Sequence, residues 1–143
     1  MQKTLTVGDV MTSQLTVIGE DAPLRQARSV MVDHDIHHLP VVRNGVLVGI
    51  LSDRDVKRAL DPDLGLPPED ELFVRDACEF DPYSVAPATP LAEVLRAMAS
   101  SRVDAALVAH DGRLAGILTA SDACRLLADF LQAAAQPAAA PLT

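Results

Sequence analysis

The chain has 143 residues, 49% apolar but only 3% aromatic, so its core is aliphatic and its length suits one ordinary domain or two small units sharing a core. A formal net charge of −8 opposes long-range attraction to phosphate backbones; it argues against nucleic acid as a partner but leaves room for a compact site for one small anion. Met1-Gln2-Lys3-Thr4 opens no apolar signal-peptide core, and no apolar run approaches the roughly 20 residues of a membrane span, so a cytoplasmic protein without membrane attachment is expected.

In chain order, Thr16-Val17-Ile18 predicts a short strand, and Pro23 suits the first turn of a helix with Leu24, Ala27, Val30 and Met31 on one face. Leu39-Pro40-Val41-Val42 and the run 46–51 flank Asn44-Gly45. That dipeptide is a strong hairpin signal, because a type I′ turn needs positive φ at both central residues. A second helix is predicted over about 53–60, and the proline-rich, acidic stretch 61–72 reads as a surface linker. The same order then returns. Ser84-Val85 is a strand, Thr89 is a candidate N-cap before Pro90, and Leu91, Val94, Leu95 and Met98 make a helical stripe. Asp111-Gly112 joins the runs 106–109 and 114–118, and a last helix is predicted from Ala120 into Gln132. Residues 133–143, rich in Ala and Pro, are expected to be disordered. Nearly continuous apolar strands imply sheets covered on both faces.

A shift of 67 residues superimposes the halves without a net gap. Val7/Val74, Asp9/Asp76, Leu24/Leu91, Gly49/Gly116, Asp55/Asp122 and Arg58/Arg125 are among the identities, and one local slip sets Thr16-Val17 on Ser84-Val85. This spacing exceeds the roughly 20–50 residues of solenoid repeats and points instead to a duplicated domain packed about a pseudo-twofold axis. The fold class is therefore mixed α/β, of the α+β kind, with two β-α-β-β-α units: residues 1–66 with the start of the linker, then 67–132.

The clearest local pattern is Gly-Ile-Leu-[Ser/Thr]-x-x-Asp, at 49–55 and again at 116–122. A hydroxyl followed three residues later by an acid is a capping box, which accounts for Ser52/Asp55 and Thr119/Asp122 without any ligand. The same geometry also serves binding. The glycine admits a close backbone approach, the helix N-terminus attracts an anion, and the carboxylate can accept both hydroxyls of a ribose. The two readings are compatible.

The repeat, the segment Ile36-His37-His38-Leu39-Pro40-Val41-Val42, the Asp9-Val10-Met11-Thr12 segment and the two Gly-x-x-[Ser/Thr]-x-x-Asp runs together resemble a tandem pair of CBS domains, a Bateman module. The resemblance covers about residues 5–130. It implies a sensor with two clefts between the repeats that take AMP, ADP, ATP, S-adenosylmethionine or related adenosyl ligands, assembled as a homodimer. By position it implies that Asp55 and Asp122 take ribose hydroxyls, that Ser52 and Thr119 lie near phosphate or ribose, and that His37 and His38 face phosphate. Residues opposite the Asp55 cleft would be Cys78, Ser84, Val103 and Asp104. Those opposite the Asp122 cleft would be Met11, Thr16 and Ile36.

The copies diverge at these positions. The first carries His37-His38 and Arg54, whereas the second carries Asp104-Ala105 and Ser121. Unequal sites follow: a phosphorylated ligand beside Asp55, and an empty cleft or a less anionic ligand beside Asp122. Asp104 borders the first cleft in this reading and weakens phosphate binding there. His34, His37 and His38 cluster with Asp33 and Asp35, but the run passes from a helix end into a strand where alternate side chains diverge, so no metal is expected. The two cysteines, Cys78 and Cys124, occupy unmatched positions and read as buried structural thiols of a reducing compartment. With no nucleophile elbow, phosphate-cradling Gly-Lys loop or His-Glu-x-x-His, an enzyme is not expected. No effector domain is legible, so the signal would pass to a separate, unidentified protein; the alternative is a ligand-free dimerisation or docking scaffold.

Overall fold

The computed structural model describes residues 4–136; of the tail expected to be disordered, residues 133–135 instead continue the last helix, and the part from 137 onward lies outside the described residues. The elements are α1 (Val7–Val10), β1 (Ile18–Gly19), α2 (Leu24–His34), β2 (His38–Arg43), β3 (Val46–Ser52) and α3 (Asp53–Ala59), then α4 (Val74–Ala77), β4 (Glu79–Phe80), β5 (Ser84–Val85), α5 (Leu91–Ser101), β6 (Ala105–His110), β7 (Arg113–Thr119) and α6 (Ala120–Ala135). The linker carries two single 3-10 turns, Pro62–Leu64 and Glu69–Glu71. Both hairpins form at the expected dipeptides, with φ of 51° and 78° at Asn44-Gly45 and 52° and 77° at Asp111-Gly112. Each carries a bulge at the same place, between Val41 and Val42 and between Val108 and Ala109.

The strand register corrects the local slip read from the sequence. Ile18 pairs with Val41 as Val85 pairs with Val108, so the 67-residue offset holds through the first strands and Ile18 matches Val85. The strand expected at Thr16-Val17-Ile18 starts only at Ile18. Leu107 donates its N–H to Tyr83 O at 3.0 Å, but its counterpart Pro40 has no N–H to offer Thr16. The far end shows the reverse. Glu20 donates to Val42 O at 3.1 Å, and its counterpart Pro87 cannot, so β5 stops at Val85. One proline per copy trims opposite ends of equivalent strands.

The N-cap of α5 is Pro90 rather than the expected Thr89. The first free donor of that helix, the Leu91 N–H, goes to Leu5 O at 2.9 Å, as the Leu24 N–H goes to Leu72 O in the other unit. Carbonyls of the segments ahead of α1 and α4 therefore satisfy donors that a side chain was expected to cap.

Two sheets result, ordered β1-β2-β3-β4 and β5-β6-β7. Strand alternation divides their side chains between two layers. Leu39, Val41 and Leu51 meet Leu24, Ala27 and Met31 of α2, and Ala106, Val108 and Leu118 meet Val94 and Met98 of α5. On the opposite faces, Leu107, Ala105 and Ile117 of one sheet pack with Leu47 and Ile50 of the other, which seals the seam between the units. The helices lie outside, the sheets face each other, and a pseudo-twofold axis relates the halves.

The repeat in sequence and the packed unit do not coincide. Val7 of α1 is buried in the second core, and Val74 of α4 in the first. Behind α1, Thr12 bridges to Ile117 of β7; behind α4, β4 pairs with β3. The glycines of the two motifs make these crossings possible. A Cβ on Gly49 would lie 2.6 Å from Glu79 O, and one on Gly116 would strike the Met11 side chain and lie 3.0 Å from Thr12 O. The close approach expected at these glycines is made by the chain itself, by the Glu79 carbonyl at Gly49 and chiefly by the Met11 side chain at Gly116.

Candidate functional site

Ser52 and Thr119 each end a strand and start a helix with φ and ψ near −100° and 160°, so the helix N-terminus opens at the seam. The capping boxes are complete. Asp55 Oδ2 accepts from Ser52 N–H at 2.9 Å while Ser52 Oγ accepts from Asp55 N–H at 3.1 Å. Thr119 and Asp122 repeat this at 2.9 and 3.2 Å. Asp9 and Asp76 accept from the N–H of Thr6 and Phe73 in the same way. A capping carboxylate alone thus marks no site. What sets Asp55 apart is its position: it is 7% exposed, the only buried charged residue among those described, and it lines a cleft of about 260 Å³ between the two units. That volume is close to the lower end of small-molecule sites, roughly 300 Å³.

The cleft gathers several of the expected residues. His38, Ser52, Arg54 and Asp55 line it from the first unit, and Val103 and Asp104 from the second. Arg54 Nη1 lies 2.9 Å from Asp104 Oδ2, an ion pair that spans the seam. Burial holds the His38 imidazole below its ordinary value, against the pull of Asp104 and Asp53. The expected residues left out of the lining are His37, Cys78 and Ser84. His37, in the bend just ahead of β2, is exposed and meets Asp53 at 3.2 Å. Cys78 is half-buried, with its Sγ 3.5 Å from where a Gly49 Cβ would lie, and burial pushes its thiol up to about 11, so it stays protonated; Cys124 is exposed, against the expectation of a buried thiol. Ser84 is exposed on β5, while Pro82 and Tyr83 just before it take the lining position.

Sequence reading missed Arg58, Arg102, Glu79 and the Pro82-Tyr83 pair, all of which line the cleft. The repetition of Arg58 as Arg125 was a signal for the first. Arg102 gave none, because it caps α5 in the left-handed region at φ 54°, a place favouring Gly or Asn. Neither Arg58 nor Arg102 has an ion-pair partner among the described residues.

The Asp122 end differs. Arg125 Nη2 donates to Asp122 Oδ1 at 2.8 Å, so both carboxylate oxygens are engaged. Burial pushes this carboxyl up, but the Thr119 N–H and hydroxyl and Arg125 outweigh it and hold it below the usual carboxylate value. Ser121 is exposed and Thr16 half-buried. Met11 and Ile36, expected to face a ligand here, pack against the second and first cores respectively. Among the described residues, no group of three or more His, Cys, Asp or Glu is arranged to hold a metal, and no helix is long and apolar enough to cross a membrane.

Comparison with known proteins agrees with this architecture. The CBS domain model matches residues 7–62 and again 74–129. Hypoxic response protein 1 of Mycobacterium tuberculosis is 31% identical over 145 residues, covering 94% of this chain and 96% of its own length. CBSX2 of Arabidopsis thaliana, solved in complex with AMP, superimposes with a TM-score of 0.76 at 27% identity over 88% of this chain and 98% of its own. The CBS domain pair of MJ0100, solved with 5-methylthioadenosine and S-adenosyl-L-methionine, shares the fold at a TM-score of 0.80 and 22% identity over 90% and 99% of the two chains. Other relatives are longer: the chain spans 22% of an inosine-5'-monophosphate dehydrogenase of Korarchaeum cryptofilum and 24% of a homoserine O-acetyltransferase of Methanococcoides burtonii, each 32% identical. With the model matched in both halves and the same fold in solved CBS pairs, the chain belongs to the CBS domain family and carries two copies of the domain.

Proposed function

We propose that this chain is a non-catalytic sensor that binds an adenine nucleotide at a single dominant site, the Asp55 cleft. The observation that carries the reading is the Asp55 carboxylate. One oxygen is used by Ser52, and the other has no hydrogen-bond partner among the described residues, on a side chain that borders an inter-unit cleft. An oxygen so held accepts ribose hydroxyls without reorganising. The base would lie against Pro82, Tyr83 and Val103, and the phosphate near His38, Arg58 and Arg102. The AMP complex of CBSX2 supports the ligand class. S-adenosylmethionine, ADP and ATP are the competing ligands within it.

A ligand that touches both units shifts their relative arrangement only by its differential affinity for the two states. A separate effector protein would read that shift, in a cytoplasmic homodimer. Exposed Leu127, Phe130 and Leu131 on α6 favour a second reading, a scaffold that dimerises or docks without ligand.

Titration calorimetry with AMP, ADP, ATP and S-adenosylmethionine separates the two. The sensor binds at least one of them and loses it in Asp55→Ala but not in Asp122→Ala. Equal losses from both variants remove the single-site reading, and no binding by the wild type leaves the scaffold.

A further inference from the structure

We infer that Asp104 sets the charge preference of the Asp55 cleft, by holding Arg54 across the mouth and by opposing any phosphate that draws Arg54 away. The inference rests on the cleft being a nucleotide site.

The geometry is specific to this end of the molecule. Arg54 comes from the first turn of α3 and Asp104 from the residue ahead of β6; both line the cleft, and their 2.9 Å contact is the one ion pair among the described residues that joins the two units across it. At the other end the corresponding positions carry Ser121 and His37, which cannot form such a pair. Arg54 is largely exposed, so the pair is weak and a ligand anion can break it.

The charge balance of the cleft then decides what it accepts. Arg54, Arg58 and Arg102 face Asp55, Asp104 and Glu79, and His38 is kept neutral by its burial. Guanidiniums and carboxylates cancel, so the cleft suits a ligand of low charge. Each added phosphate gains Arg54 only by stripping it from Asp104, whose own charge then stands in the cleft mouth. Without the Asp104 charge, Arg54 is free and the balance turns positive. The residue therefore discriminates by phosphate number rather than by base or sugar.

The experiment is a calorimetric series with adenosine, AMP and ATP on the full chain, above the titration range of histidine, for wild type, Asp104→Asn, Arg54→Gln and the double variant. Asp104→Asn is expected to leave adenosine unchanged, to tighten AMP about fivefold and to tighten ATP further. Arg54→Gln is expected to weaken AMP and ATP but not adenosine, and to remove most of the gain from Asp104→Asn in the double variant. Thermal melts confirm that each variant folds. A shift equal for all three ligands, or none in a protein that binds them, overturns the role of Asp104 alone. A wild type and Asp104→Asn that bind none of the three overturn the nucleotide reading and this inference with it.

Discussion

The Asp55 and Asp122 ends of the molecule share a motif, a capping geometry and a register, yet one borders a cleft with two guanidiniums that have no ion-pair partner among the described residues, and the other has its carboxylate closed off by Arg125. The repeated arginine makes the difference. Arg58 lines the first cleft, whereas Arg125, its counterpart, turns back onto Asp122 at 2.8 Å. A carboxylate that caps a helix becomes a binding group only when its second oxygen is left for a ligand.

The largest effect that tests this contrast is on binding. Asp55→Ala should weaken AMP at least about a hundredfold, the worth of two hydrogen bonds to a charged acceptor. Asp55→Asn, which keeps an acceptor for the Ser52 N–H, should fold normally and still lose most affinity. Asp122→Asn should change affinity less than about twofold, measured by the same calorimetry.

Next in size is the stability of the crossings at the two glycines. Gly49→Ala drives a methyl against the Glu79 carbonyl, a backbone atom, and should cost about 2 kcal/mol in denaturant melts. Gly116→Ala meets chiefly the flexible Met11 side chain and should cost about half as much. Equal losses would show that the two crossings are mechanically alike.

A smaller effect follows from His38. Its free-state pKa is depressed by burial, and a phosphate beside it would raise it again, so binding takes up a proton. AMP affinity should rise a few-fold as pH falls through the titration of His38 in the complex, while adenosine stays flat throughout. The same depression makes the unfolded chain the better proton acceptor, so the ligand-free fold should lose stability over that same fall in pH. An AMP affinity independent of pH would remove His38 from the phosphate side. The smallest effect is that of Arg125→Ala. It should cost under about 0.5 kcal/mol, since the guanidinium is largely exposed, and raise the Asp122 pKa, read by carboxyl chemical shifts.

Much of the fold was legible because its signals are local. Asn44-Gly45 and Asp111-Gly112 dictate their turns, and Ser52/Asp55 and Thr119/Asp122 dictate their caps wherever the chain lies. What was not legible depends on partners distant in sequence. Nothing in Val7 or Val74 says which core receives it, and Pro40 removes a bond to Thr16 that only the register reveals. The cleft was half legible for the same reason. His38, Ser52, Arg54, Asp55, Val103 and Asp104 follow from motif position, whereas Arg102 and Glu79 are brought in by a helix C-cap and a crossing strand. The neighbours of Asp55 and Asp122 already differ in sequence, but only the structure shows that Arg125 turns back onto Asp122 while Arg58 lines the cleft beside Asp55.

The exchange of lead-in helices ties the halves together topologically. A nick in the exposed linker, near Gly65, would free two fragments, each holding the Val that plugs the other's core. Neither fragment would fold alone, yet mixed together they would rebuild the whole, in the manner of a split reporter. Duplication has here produced two interdependent parts of one cooperative structure.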